Sequence, residues 1–460
     1  MLLDFIRLER TSSEALYLQL YRAVRDAVSD GRMAAGERMP SIRRLSEDLD
    51  ISKTTVETAY NQLITEGYLE ARPQKGCYVA NLTPFSVRKN LEIKRTVRAD
   101  APKPLRYRFS TAAVDANAFP VGLWQKHLRE VLARSDEITS YGDSQGEPEL
   151  RAALAEYAYS VRGVRADPRQ IVVGAGLQPL LYLLSGMLRD RERLIGLESP
   201  GFAQAERVLT DCGLSVCHLP SDADGVEAET VRDAGLRVLY LTPSNRLGGG
   251  IPMPMARRTA LLEWAHDTDG LIVEDDHNGE LRWHGRPIPA LQGFDDGRHV
   301  VYIGTFSKVL LPSVRLGYMV LPAPLAEQYY TRAHAYHQTA SKIEQLALAS
   351  YIRRGEMEKQ LRRLRKIYAA KGDRLIRCLR DTFGDRADIE PQETALRLLV
   401  TLHDPRSAKQ LRDDAAAYQV EVTPFPAYEG HSRVLLGFSG IALDDIPEAV
   451  RRLGKAWLST

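Results

Sequence analysis

The 460-residue chain reads as an α/β protein preceded by a small helical module. Three observations predict this. Residues 1–80 carry amphipathic stretches and turn signals in the order helix, helix, turn, helix, hairpin. Residues 81–108 hold 8 basic residues, 2 acidic residues and three prolines, the composition of an extended, solvated linker. From residue 109 onward, short apolar β-like runs alternate with helical stretches, which predicts a largely parallel sheet covered by helices. That third part divides at about residue 335 into a large α/β portion and, from 336 to 460, a smaller α+β portion.

The N-terminal elements follow from local signals. Leu16, Leu20, Ala23, Val24 and Val28 recur at helical spacing within residues 14–31, and Gly31 and Gly36 end that helix. Ser41, after Pro40, caps a helix running to Leu49. Ser52 caps the next, from Lys53 to about Glu66, and Gly67 stops it. YLEARPQKGCYVA then reads as a hairpin with Pro73, Gln74, Lys75 and Gly76 at its tip. This is the element order of a winged helix-turn-helix. Residues 1–80 hold 11 basic and 12 acidic residues, so the bulk charge does not announce a nucleic-acid surface. The positions do. Ser52, Lys53, Thr54 and Thr55 open the recognition helix, Arg43 sits on the helix before it, and Arg72, Gln74, Lys75 and Gly76 form the wing. Glu57 either rejects certain bases or accepts from cytosine.

In the large part the strand candidates are Gln170–Val173, Arg193–Leu197, Arg237–Leu241, Gly270–Glu274, Val300–Ile303 and Gly317–Leu321. The uncharged run Ile171–Leu188 is long enough to raise a membrane span, but Gly174, Gly176, Gln178 and Pro179 break it. A strand, a glycine turn and a buried helix account for it instead. Residues 340–381 read as one amphipathic helical region, with Leu361, Leu364, Tyr368, Leu375 and Leu379 on one side and a basic, solvated face. An apolar fraction of 44% with 27% charged residues fits a soluble globular chain without a membrane partner. Asp4 and Arg7 argue against a signal peptide, and four cysteines without CxxC spacing suggest neither a disulfide framework nor a metal site. The expected compartment is the cytoplasm.

The chemistry concentrates in two segments. GTFSKVLLPSVRLGY places Thr305, Ser307, Lys308 and Arg315 close together: one amine, two hydroxyls and a guanidinium, donors that suit a phosphate dianion. Gly174-Ala175-Gly176-Leu177 follows a strand and opens a helix, so its backbone N–H groups can face an anion. Asp275, in LIVEDDHNGE, ends another strand, where open α/β sheets bind ligands. An amine for a Schiff base, a carboxylate for a ring nitrogen and a phosphate cradle are together what pyridoxal 5'-phosphate requires.

With these residues in view, the chain resembles the MocR subgroup of the GntR transcriptional regulators, which join a winged helix-turn-helix to a fold-type I aminotransferase-like domain. The resemblance rests on ERMPSIRRLSEDLDISKTTVETAYNQLITEGYLEARPQKGCYVA, YGDSQGEPELR, ESPGF, EDD and GTFSK…RLGY, and covers nearly the full length. It implies that Lys308 forms the internal aldimine and that Asp275 pairs with the pyridinium nitrogen. It implies that Phe202 stacks on the ring, and that Thr305, Ser307, Arg315 and the Gly176 and Leu177 amides hold the phosphate. Tyr141 would reach the phosphate of a neighbouring subunit, which requires a homodimer. The structural alternative for Phe202 and Tyr141 is ordinary core packing.

Departures from the family pattern are local. A tyrosine usual two residues after the aspartate is His277 here, followed by Asn278; either can hydrogen-bond the phenolic oxygen, and a histidine can change charge near neutral pH. The loop beginning at Asn245 reads NRLGGG, and Val309 follows the lysine. Arg433 and Arg397 are candidates for an effector carboxylate. The resulting expectation is a DNA-binding regulator whose operator affinity responds to a primary amine, such as an amino acid, through external aldimine formation at Lys308. The alternatives are an active aminotransferase and a sensor of pyridoxal 5'-phosphate itself.

Overall fold

The computed structural model describes residues 6–81, 105–246, 252–282, 285, 287–392 and 396–458. The chain divides into two compact units, Met1–Lys103 and Pro104–Thr460.

In the first unit, helices α1 (Leu16–Ser29), α2 (Ile42–Asp48) and α3 (Lys53–Thr65) pack around Leu20, Val24, Leu45, Val56 and Leu63. The predicted caps form. The Ser41 side chain accepts from the Arg44 N–H, and the Ser52 side chain from the Thr55 N–H. Strands β1 (Leu69–Arg72) and β2 (Gly76–Val79) make an antiparallel hairpin. Its tip needs positive φ, met by Gln74 at 60° and Gly76 at 103°. The unit is a winged helix-turn-helix.

The second unit is built on an eight-stranded sheet. It begins with the short strand β3 (Tyr107–Arg108), which pairs elsewhere, and continues with β4 (Ile171–Gly174), β5 (Leu194–Ser199), β6 (Ser215–Asp222), β7 (Gly225–Val226), β8 (Val238–Leu241), β9 (Leu271–Asp276), β10 (Val300–Thr305) and β11 (Gly317–Val320). The sheet order is β4-β11-β10-β9-β8-β5-β6-β7. β10, β9, β8, β5 and β6 run parallel, whereas β11 is antiparallel to both neighbours. β4, β8, β9 and β11 are buried along their whole length, as expected where helices cover both faces.

All six strand candidates form, within two residues at their ends. β6 was missed because SVCHLPSD carries polar residues and a proline rather than an apolar run. The run Ile171–Leu188 resolves as β4, a turn at Gly176 and a helix from Leu177 to Leu188. Among the described residues, no helix is long and apolar enough to cross a membrane.

The region 340–381 is not one helix. Helices Lys342–Arg353 and Glu356–Phe383 are separated at Gly355, whose φ of 71° ends the first. Leu361, Leu364, Tyr368, Leu375 and Leu379 all lie in the core, as their spacing predicts. The smaller sheet contains β12 (Ala387–Gln392), β13 (Arg397–Leu402), β15 (Thr423–Tyr428) and β16 (His431–Gly437), all antiparallel, while β14 (Val420–Glu421) pairs with β3. That pairing corrects one expectation. Residues Tyr107 and Arg108 were read as the end of a solvated linker, yet Tyr107 is buried and both are strand-bonded to the smaller part. Linker residues 82–104 lie outside the described residues.

Candidate functional site

Strand alternation sorts the three acids of EDD. On β9, Glu274 and Asp276 point to one face and Asp275 to the other. Glu274 accepts the Leu291 and Gln292 N–H groups at 2.8 and 2.9 Å. Asp276 is paired with buried Arg162 at 2.6 Å and accepts the Tyr302 hydroxyl at 2.7 Å. Those two acids hold the fold. Asp275 is different: its Oδ2 accepts the Tyr240 hydroxyl at 2.5 Å, but its Oδ1 is buried with no hydrogen-bond partner among the described residues. Burial pushes its carboxyl up to about 7, against the lowering effect of Tyr240 and with help from Asp276 and Glu274. A buried carboxylate oxygen without a donor is costly, and a ligand N–H would satisfy it.

The parallel register sets β10 beside β9, with Ile303 opposite Asp275. Three residues past the end of β10 the chain places Lys308, which is buried. Its Nζ donates to the Thr111 and Ala113 carbonyls at 2.8 and 2.6 Å. Burial, with the Arg397 charge, lowers its ammonium to about 8. An amine at that value is partly neutral near physiological pH and available as a nucleophile.

The anion cradle assembles from β4, β10 and β11. Register aligns Gly174 with Gly317 and Gly317 with Thr305. Gly176, at φ 89°, caps the helix Leu177–Leu188, and a Cβ there would stand 3.2 Å from Arg315 Nη2. A Cβ on Gly317 would stand 3.2 Å from the Gly176 Cα. Only glycines permit this approach, which brings the Arg315 guanidinium to a helix N-terminus. Arg315 itself holds φ 52° and is exposed; Thr305 and Ser307 are half-buried beside it in sequence. Thr339 Oγ1, which the sequence did not single out, accepts the Ala175 N–H at 3.0 Å.

On another side of Lys308 lie Arg397, Asn245 and His277. Arg397 Nη2 donates to Asn245 Oδ1 at 3.1 Å and to the Arg246 carbonyl at 3.3 Å, and Asn245 Nδ2 donates to the His277 carbonyl at 3.0 Å. Arg397 is buried at the start of β13, and its Nε has no partner among the described residues. Burial lowers its guanidinium to about 10. Burial, then Lys308, then Arg397 push His277 down to about 4, so it is neutral around pH 7. The expectation of a charge change there near neutrality is therefore corrected. Asn278 adopts φ 68° and is buried.

Three other candidates fall elsewhere. Arg433 does not join this group. It stacks over Phe425 and Tyr428 at 5.0 and 5.2 Å and donates to the Pro426 carbonyl at 2.7 Å. Phe202 begins the helix Ala203–Asp211, half-buried against the core under β5. Tyr141 is 93% exposed, touching the His337 ring at 6.0 Å, so core packing does not account for it. Beyond Asn245 and Arg246, the loop residues 247–251 lie outside the described residues. Tyr240 was missed; its only signal was a tyrosine at the centre of a buried strand adjacent to the one carrying Asp275.

In the winged unit, Lys53, Thr54, Lys75 and Gly76 are exposed. Arg43 is exposed and pairs with Glu47 at 3.1 Å across one helical turn. Arg72 lies over the Tyr78 ring at 4.4 Å. Ser52 and Thr55 are partly occupied with each other, their hydroxyls 2.8 Å apart, which makes Ser52 a cap before it is a DNA contact.

Comparison with known proteins agrees on both units. The family described as "Bacterial regulatory proteins, gntR family" matches residues 16–79, and "Aminotransferase class I and II" matches residues 112–453. The chain is 36% identical to the uncharacterized HTH-type transcriptional regulator YhdI of Bacillus subtilis, covering 98% of this chain and 97% of that one. It is 32% identical to the probable rhizopine catabolism regulatory protein MocR of Rhizobium meliloti, covering 98% and 96%. Among solved structures, a multiple substrate aminotransferase from Thermococcus profundus superposes with a TM-score of 0.68 at 25% identity, over 81% of this chain and 96% of that one. A kynurenine aminotransferase from Pyrococcus horikoshii superposes with a TM-score of 0.66 at 24% identity, over 76% and 90%, a likeness of fold.

Proposed function

The chain belongs to the MocR-type GntR regulators, DNA-binding proteins with an aminotransferase-like domain, and we propose that it binds pyridoxal 5'-phosphate at Lys308 and senses an amine that carries a carboxylate. The observation that carries this reading is the buried Oδ1 of Asp275, without a partner among the described residues, on the strand beside the one that leads to Lys308. When bound, the cofactor supplies an aldehyde carbon to which an amine bonds reversibly, and a protonated ring nitrogen that draws electrons from it.

The chain's own residues divide the remaining work. Asp275 accepts the ring N–H at Oδ1, while Tyr240 holds Oδ2 and so fixes the carboxylate plane. Arg315, the Gly176 and Leu177 amides, Thr305 and Ser307 hold the phosphate. Asn245 and neutral His277 offer hydrogen bonds near the phenolic oxygen, and Phe202 covers the ring. Lys308 would hold the cofactor through Nζ, a buried amine beside Arg397. Arg397, whose Nε has no partner among the described residues and which is tethered to Asn245, would receive the carboxylate of the effector. Tyr141, exposed in one chain, reaches the cofactor phosphate of a second copy in a homodimer.

On the other unit, Lys53, Thr54, Thr55, Arg43 and the wing residues Arg72, Gln74, Lys75 and Gly76 grip a double-stranded operator. The effector shifts DNA binding by its differential affinity for two states of the second unit. The test is a spectral titration of the cofactor-loaded protein with a panel of amines, run beside operator binding. The expected result is that α- or ω-amino acids shift the visible band and change operator affinity together, whereas amines without a carboxylate do neither at the same concentration. Sustained turnover of an amino donor and a keto acid at ordinary enzyme rates would instead favour an aminotransferase, and operator affinity that follows the cofactor alone would favour a cofactor sensor.

A further inference from the structure

Lys308 makes its two hydrogen bonds to an unusual partner. Thr111 and Ala113 lie on the segment Ser110–Asp115, a strap that follows directly from β3. The strap is held on its far side with little freedom. The Gly437 N–H donates to the Phe109 carbonyl at 3.0 Å, and Phe109 is fully buried. A Cβ on Gly437 would come within 2.5 Å of the Ser110 carbonyl oxygen, and a Cβ on Gly440 within 2.3 Å of the Ala113 side chain. Ser439 Oγ donates to the Ala113 carbonyl at 2.6 Å. Buried Lys371 pairs with Asp115 at 2.7 Å and donates to the Ser439 carbonyl at 3.0 Å. At its start, the Tyr107 and Phe109 N–H groups bond to the Gln419 and Glu421 carbonyls, and Arg108 pairs with Glu421 at 2.7 Å.

The strap therefore has two anchors. One is permanent and comes from the smaller part of the unit: Gly437, Ser439, Lys371 and β14. The other is Lys308, and its hydrogen count depends on its covalent state. A free amine has the two N–H bonds that the Thr111 and Ala113 carbonyls need. When Nζ bonds to the aldehyde carbon of the cofactor, water leaves and Nζ keeps at most one hydrogen. When an amine displaces Nζ from that carbon, Nζ becomes a free amine again and regains both donors. No redox partner is needed in either step.

We propose that the strap Ser110–Asp115, positioned by Ser439 and Lys371, reads the covalent state of Lys308 through the Thr111 and Ala113 carbonyls and carries it to β3, from which the chain continues to the DNA-binding unit. This rests on the cofactor reading above and deepens it by naming the element that responds. The strap is gripped when Lys308 is free, released when Lys308 holds the cofactor, and gripped again when an amine has taken its place. Two of these states, cofactor-free and effector-loaded, share one strap conformation, which a simple occupancy switch does not require.

The experiment is amide hydrogen exchange of the full-length protein in three forms: without cofactor, with pyridoxal 5'-phosphate, and with pyridoxal 5'-phosphate plus aminooxyacetate. That probe carries a carboxylate and an amino group that displaces lysine from the cofactor. The visible band is recorded on the same samples. The expected result is exchange in peptides spanning residues 107–117 that speeds on the order of tenfold with the cofactor and slows again with aminooxyacetate. Lys308→Met, which keeps the apolar stem but has no donor, should exchange at the fast rate in all three forms. Ser439→Ala, a small change on the permanent anchor, should keep the visible band and narrow the contrast between forms. If the visible band forms and responds to aminooxyacetate while strap exchange stays constant, the strap reading is overturned and the cofactor reading stands. If no band forms in the unmodified protein, the cofactor reading falls as well.

Discussion

Lys53, Lys75 and Arg43 stand exposed on a unit whose proposed DNA contacts all come from one short stretch of chain. Lys308, Asp275 and Arg397 are buried and come from β9, β13 and the turn after β10, with the anion cradle added by β4 and β11. In the first region the surroundings leave charge in water. In the second, burial and mutual proximity move three groups: the Asp275 carboxyl up to about 7, the Lys308 ammonium down to about 8 and the Arg397 guanidinium down to about 10. An exposed cation contributes through the counterions it displaces, and each such contact is small and replaceable. A buried group contributes through what it leaves unpaired, and its removal is felt fully. The two regions should accordingly respond to substitution in opposite ways.

Lys308→Ala tests this contrast hardest. It should abolish the visible band of the lysine-bound cofactor entirely, while the cofactor-free protein still binds operator DNA. A loss of operator affinity equal to that of a recognition-helix variant would show that the two regions are not separable. Asp275→Ala comes next. Removing the carboxylate proposed to receive the ring N–H should weaken cofactor binding by about 2–3 kcal/mol, measurable by equilibrium dialysis. Unchanged binding would place the ring nitrogen elsewhere.

Arg397→Met sharpens the comparison on the effector side. It should reduce the preference for amines with a carboxylate over amines without one by about 1.5–3 kcal/mol, read as the ratio of half-saturating concentrations. The same variant bears on pH. Below about pH 8 the Lys308 amine is mainly protonated and cannot attack, so the rate of cofactor capture should rise with pH and level off above that value. Because Arg397 helps to hold the Lys308 value down, its removal should move that midpoint to higher pH. Stopped-flow capture rates from pH 6.5 to 9.5 would show the shift or its absence.

The smallest effect belongs to the exposed region. Lys53→Ala should weaken binding about equally across operator variants and reduce the slope of log affinity against log salt by about 1. A change confined to one base position would assign Lys53 to base readout instead.

Much of the architecture was legible in the chain because its signals are local. Ser41 and Ser52 each stand one residue before an apolar helical pattern, and both cap as expected. Gly76 marks the wing, and the buried strands announce themselves as short apolar runs. β6 lacked that run, and the break at Gly355 was overridden by an amphipathic pattern continuing on both sides of it. Residues of the candidate site were legible by type but not by partner. Arg397 and Arg433 were indistinguishable as isolated arginines; only the packing of β13 against the Asn245 loop brings one beside Lys308, while aromatic rings hold the other away.

By itself the sequence determined which elements form, since caps, glycine turns and apolar spacing act over a few residues. It also supplied the inventory of amine, carboxylate, guanidinium and hydroxyl groups that the chemistry needs. The tertiary structure alone decided that Glu274 and Asp276 are taken up by fold contacts, that Tyr240 holds Asp275, and that the carbonyls of Thr111 and Ala113 lie against Lys308. Those outcomes depend on strand register and on contacts between residues nearly two hundred positions apart, where burial sets the strength of every charge and hydrogen bond, and no local pattern encodes that environment.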